Sequence, residues 1–191
     1  LPGSRFVVED VSVNPTRLHF LNVLQRMGAS IRVERDDNGW EPRGTITVEH
    51  RPLRGIPIAR SEVPALIDEL PILMVAACAA EGQTSFEGLG ELRVKETDRL
   101  HAMATGLTRL GARLELRGEA GLLVSHSSLR GATVESYGDH RTAMSLAIAG
   151  LLAAGQTTIT GAECIRKSFG SFFELLASVV GSDAVKTVDK A

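Results

Sequence analysis

The chain has 191 residues, 43% of them hydrophobic and 4% aromatic, with a formal net charge of −2. That is enough for one sizeable domain or two small ones. A balanced charge with so few rings points away from nucleic acid and from an anionic membrane surface. The longest apolar stretches, residues 70–80 and 143–154, fall well short of the roughly 20 residues that span a bilayer. Two cysteines, Cys78 and Cys164, are too few for a disulfide framework or a zinc site and fit a reducing, cytoplasmic setting. No signal or transit peptide is visible, and Leu1 in place of Met makes the first residue an unexpected translation start.

Taken in order, the sequence repeats itself. EGQTSFEG at 81–88 matches AGQTTITG at 154–161, and each follows an apolar run, 66–80 and 143–153, almost free of charge. An element apolar all round is expected to be buried all round, so both runs read as central helices, each ending near a glycine and passing into a strand. A second element recurs as FLNVLQRMG at 20–28, more loosely at 103–111, and as FELLASVVG at 173–181. Leu100, Met103, Ala104, Leu107 and Leu110 have helical spacing. The pattern is an amphipathic helix closed by glycine, then a strand such as 29–34 or 112–117. The chain therefore reads as three tandem α/β units, roughly 1–61, 62–135 and 136–182, with a tail at 183–191. The stretch at 1–8 aligns with the point where a buried helix has just ended. The helix expected before it is missing, so the first unit reads as truncated.

The unusual charges fall at predicted helix starts. Lys95-Glu96 precedes a helix expected from about Thr97, and Asp139-His140-Arg141 opens the second buried helix. Arg166-Lys167 precedes the last helix, and Asp68 lies in the first turn or two of the first buried helix. Ser136 to Asp139 and Ser171 to Glu174 have capping-box spacing. Cations at a helix amino end oppose its dipole, so Lys95, Arg141 and Lys167 at three such ends lack a local stabilising reason. A shared phosphate or carboxylate supplies one, provided the helices point the same way. Each cluster also has a plainer reading: a solvated Lys-Glu pair, Asp68 and Asp139 as caps, Arg141 paired with Asp139, and His140 as a structural histidine. His19, His50, His101 and His126 lack metal spacing, and Gly88-Leu-Gly90 with Arg93 in the third position does not make a dinucleotide fingerprint.

Three segments carry a family resemblance. LRVKETDRL at 92–100, GDHRTAM at 138–144 and RKSFGSFF at 166–173 resemble the signatures of EPSP synthases (3-phosphoshikimate 1-carboxyvinyltransferases), with Gly170 where proline is usual. Asp68 falls where that family keeps its catalytic aspartate. The resemblance implies an α/β fold of two domains, each of three βαβαββ units whose parallel helices point their amino ends at the interdomain cleft. This chain would supply most of the carboxy-terminal domain, and the amino-terminal domain, with its own phosphate ligands, would be a required partner.

The implied reaction moves the enolpyruvyl group of phosphoenolpyruvate to the 5-hydroxyl of shikimate 3-phosphate and needs no metal or organic cofactor. The resemblance makes Glu96 the proton donor to the methylene carbon and Asp68 the base at the hydroxyl. Lys95 contacts the shikimate, and Arg99, Arg141 and Lys167 hold phosphoenolpyruvate beside His140. Glu91 stands where some relatives place an asparagine on the shikimate phosphate and is left outside the site. Glyphosate, which competes with phosphoenolpyruvate in this family, is a possible inhibitor. Two alternatives are a UDP-N-acetylglucosamine enolpyruvyl transferase-like domain, whose relatives lack the Lys-Glu-Thr-Asp-Arg run, and a non-catalytic anion-binding module, for which two carboxylates would be superfluous.

Overall fold

Three small sheets carry the chain's internal repeat. In the computed structural model, which describes residues 3–36 and 40–188, the first sheet holds β1 (Arg5–Ser12), β2 (Ser30–Asp36) and β3 (Arg43–Glu49) in the order β1-β3-β2, all antiparallel. Helix α1 (His19–Arg26) lies between β1 and β2 in the chain. The second sheet is built from β4 (Pro57–Ile58), β5 (Gln83–Phe86), β6 (Arg113–Arg117) and β7 (Gly121–Ser125) in the order β4-β5-β7-β6. Its β4–β5 pair is parallel and the others antiparallel. The third pairs β8 (Thr133–Glu135) with β9 (Thr158–Thr160) in parallel.

The helices of the second and third sheets form the centre. Helix α3 (Leu70–Ala79) follows a short α2 (Val63–Leu66) and buries Leu70, Pro71, Leu73, Met74, Val75, Ala77 and Cys78. Helix α5 (His140–Leu152) packs on α3, and α4 (Arg99–Arg109) packs on both. The approach of α4 to α5 is close: a Cβ on Gly106 would stand 2.8 Å from Leu146 Cδ2. Beyond them lie α6 (Arg166–Phe169) and α7 (Phe172–Val180). The apolar runs are mostly buried, with Ala79 and Leu152 exposed near their carboxy ends, and the amphipathic α4 supplies Leu100, Met103 and Leu107 to the same core.

Gly28, Gly111 and Gly181 each follow an amphipathic helix at positive φ (104°, 88° and 98°), the left-handed closure in which glycine carries no Cβ penalty. The strands that follow the first two, β2 and β6, begin within two residues of the glycine. A second recurring pair sits just ahead of β4 and β8. Gly55 N–H donates to the Glu81 carbonyl at 2.7 Å, and Gly131 N–H to the Ala154 carbonyl at 2.8 Å. A Cβ on Gly55 would lie 2.1 Å from the Gln83 carbonyl oxygen, and one on Gly131 2.1 Å from that of Gln156. Gly55→Ala and Gly131→Ala should therefore each lose ~1–3 kcal/mol in urea denaturation through forced backbone shifts. Gly90→Ala, whose new methyl would meet nothing nearer than Ala120 Cβ at 3.9 Å, should be close to neutral.

Several local expectations are corrected. The run 66–80 is not one helix: residues 67–69 form a turn between α2 and α3, so Asp68 sits ahead of α3, not inside it. Helix α4 starts at Arg99, capped by Asp98, which accepts from His101 N–H at 2.9 Å, and Lys95-Glu96 lies on the preceding stretch. Neither capping box forms. Asp139 itself caps α5, while Ser136 Oγ donates to the Gly161 carbonyl and accepts from Gly138 N–H. Ser171 makes no side-chain cap bond at α7.

Candidate functional site

The amino ends of α3, α4 and α5 meet around one guanidinium. Arg99 opens α4 and is only 1% exposed, the largest fully buried side chain in the core. Asp139, fully buried as the cap of α5, uses both oxygens. Oδ1 accepts from Thr142 N–H at 2.7 Å and Oδ2 from Arg99 Nε at 2.9 Å. Burial pushes the Asp139 carboxyl up, but the Thr142 N–H and the Arg99 guanidinium outweigh it and hold the group below the usual carboxylate value.

From this floor the charges alternate toward solvent. Arg99 Nη2 donates to Glu96, and Arg99 Nη1 lies 3.6 Å from Asp68 Oδ1. Arg141, on the first turn of α5, grips Asp68 twice: Nη1 donates to its main-chain carbonyl at 3.0 Å, and Nη2 stands 3.0 Å from Oδ2. Asp68, Arg141 and Glu96 are partly open to water, whereas Arg99 and Asp139 are not. Arg99 Nη1 is buried and makes no hydrogen bond among the described residues. A guanidinium donor in that state is normally satisfied by something, and here it faces the partly open side of the cluster. The arrangement offers two carboxylates, Glu96 on Arg99 and Asp68 between Arg99 and Arg141: cations to seat an anion, and acids to move protons beside it.

The structure thus brings together Asp68, Glu96, Arg99, His140 and Arg141 of the residues singled out in the sequence. A ligating ring atom of His140 lies within 4.8 Å of carboxylate oxygens of Glu96 and Asp139. The same trio has the make-up of a metal site, but both Asp139 oxygens are already engaged, which leaves it short of free ligands. Lys95 pairs with Glu91 at 3.7 Å, an exposed contact of small worth, and Lys167 lies exposed on α6. Arg141 pairs with Asp68, not with Asp139 as the plainer reading held. The residue missed in the sequence is Asp139 as partner of Arg99. Its signal was present, since both signature segments contain an acid next to a potential cation, but a local pairing with Arg141 was equally consistent with the spacing. Cys78, whose thiol burial pushes up to about 12, is core material and takes no part.

The mixed α/β fold of this unit is shared with solved enolpyruvyl transferase structures. The family model for EPSP synthase (3-phosphoshikimate 1-carboxyvinyltransferase) matches residues 1–176, and the chain belongs to that family. A 3-phosphoshikimate 1-carboxyvinyltransferase of Salinibacter ruber is 49% identical over 182 residues, covering 94% of this chain and 42% of the relative. One of Bacillus cereus is 46% identical over 177 residues, covering 92% and 41%. An EPSP synthase structure from Acinetobacter baumannii superposes with a TM-score of 0.87 at 40% identity, over 94% of this chain and 42% of that one. The enolpyruvyl transferase NikO of Streptomyces tendae shares the fold, with a TM-score of 0.71 at 19% identity. The chain spans about 42% of the length of these EPSP synthases.

Proposed function

We propose that the chain carries one wall of the site that transfers the enolpyruvyl group of phosphoenolpyruvate to the 5-hydroxyl of shikimate 3-phosphate, releasing phosphate. The observation that carries this reading is the cluster itself: Asp68 and Glu96 held on Arg99 and Arg141 where three helix amino ends meet. In this reading the 5-hydroxyl oxygen bonds to C2 of phosphoenolpyruvate while its proton passes to Asp68 and Glu96 protonates the methylene carbon. Loss of phosphate from the resulting tetrahedral adduct, with the proton held on Asp68 passing to the departing phosphate and a methyl proton returning to Glu96, restores the double bond and both carboxyl groups. Arg99, Arg141 and Lys167 hold the carboxylate and phosphate of phosphoenolpyruvate, the arginines as forked donors. His140 lines that pocket, Lys95 faces the shikimate, and glyphosate would contend for the same anion seat.

In this proposal the unit 1–182 divides roughly at 61 and 135, and turnover requires the remaining part of the family's sequence. The second wall excludes water and adds phosphate ligands, and proximity accounts for much of such a rate. No helix among the described residues is long and apolar enough to cross a membrane.

The anion seat can be tested on the chain as it stands. Ligand that binds only the folded state raises stability with the logarithm of its concentration over Kd. Phosphate should therefore raise the melting temperature more than chloride does at matched ionic strength. Arg141→Ala combined with Lys167→Ala should erase the difference. An undiminished phosphate effect in the double variant would remove the seat from these residues.

A further inference from the structure

Asp68 occupies the place in which the proposed substrate anion would be bound. Its Oδ2 and main-chain carbonyl take both Nη groups of Arg141 at 3.0 Å. Its Oδ1 lies nearest the buried Nη1 of Arg99, which lacks a hydrogen bond. These are the donors a carboxylate or phosphate would need in order to bridge the two arginines. Other charges face the same spot. Glu96 reaches Arg99 from the α4 side, and Glu69, beside Asp68, is paired with Arg17 at 3.0 Å. Asp68 itself stands in the 67–69 turn, and its side chain is partly open to water.

Resting on the reading of the site given above, we infer that Asp68 is a tethered competitor for the anion seat. An incoming anion binds Arg99 and Arg141 by displacing the Asp68 carboxylate. Displacement has a chemical consequence. While it sits on the two guanidinium groups, the carboxylate has its oxygens turned to Arg99 and Arg141. Released, it is free to face the attacking hydroxyl of the acceptor. The base is thus switched on by the substrate it serves, and an enzyme with an empty seat holds its base out of use. The apparent affinity of the resting seat is lowered by the fraction of molecules in which Asp68 occupies it.

The test uses the chain itself with phosphoenolpyruvate and inorganic phosphate as probes, binding being read by calorimetry. Asp68→Asn, which keeps the shape and removes the charge, should tighten both by about tenfold. If Asp68 acts by sitting on Arg141, most of that gain should vanish in the Arg141→Ala background, a coupling that a double-mutant cycle reads directly. In the wild-type chain, independently of any variant, the carboxyl carbon resonance of Asp68 should move as phosphate is added to saturation. A gain that persists in full without Arg141, or a resonance that does not move although phosphate binds, overturns the inference while leaving the anion seat in place. Failure of the wild-type chain and of Asp68→Asn alike to bind either probe overturns the reading of the site as well.

Discussion

Glu96→Gln should leave substrate binding nearly intact and lower turnover by ~10²–10⁴-fold, the usual contribution of a general acid or base. The measurement is steady-state kinetics on this chain joined to the remaining sequence of a family member such as the Salinibacter ruber protein. The geometry makes the substitution a clean one. Glu96 is partly exposed and meets Arg99 through one oxygen that accepts from Nη2. An amide oxygen can still accept that bond, so the floor of the site should stand while the transferable proton is gone. A fall in kcat with KM little changed is the expected result. A kcat within a few-fold of the parent would take Glu96 out of the proton path.

Arg99→Ala should be the most destabilising single change in the cluster, at about 3–5 kcal/mol in urea denaturation. It would strip its partner from Asp139, which is fully buried, and leave an uncompensated charge in the core. The effect should depend on pH in a definite direction. The folded-state pKa of Asp139 is depressed, so its contribution is fully present above the unfolded aspartate value of about 3.9. It is lost as pH falls through the folded value. The stability gap between wild type and Arg99→Ala should therefore narrow below about pH 4. A gap of constant size from neutral to acid would show that Arg99 acts through packing alone. Replacing Arg99 and Asp139 together by uncharged residues should recover part of the loss, because no buried charge then remains unpaired.

How much of this was legible in the sequence divides along the range of the interactions. The buried helices, the glycine-closed amphipathic helices and the strands that follow them are local patterns, and the apolar run at 143–153 and the glycines at 28, 111 and 181 read correctly. The break at 67–69 was hidden because Ile67 and Leu70 continue the apolar run and Pro71 is welcome in a first helical turn. The capping boxes failed for a tertiary reason: Ser136 finds the Gly161 carbonyl across the β8–β9 sheet, leaving the cap to Asp139. The site residues could be named from signature segments, but not their wiring. Arg99 meets Asp139, and Arg141 meets Asp68, only because α3, α4 and α5 bring their amino ends together. Nothing in the spacing within either segment distinguishes that from a neighbouring pair.

At the amino ends of α4 and α5 the arginines meet the protein's own carboxylates. Helix α4 presents Arg99, not Lys95, and the partners of Arg99 and Arg141 are Asp68, Glu96 and Asp139. Three acids around two arginines are more than a structural pair requires, and in the function proposed above binding and proton transfer share these groups.

The most direct test is phosphate release from phosphoenolpyruvate by this chain completed with the rest of a family member's sequence. Shikimate 3-phosphate or UDP-N-acetylglucosamine would be offered as acceptor, with Asp68→Ala as the control. Turnover should be seen with shikimate 3-phosphate and not with the nucleotide sugar, and Asp68→Ala should abolish it. Equal turnover by the Asp68→Ala protein, or release that depends on the nucleotide sugar, would contradict the proposal that this cluster is one wall of a shikimate 3-phosphate enolpyruvyl transfer site.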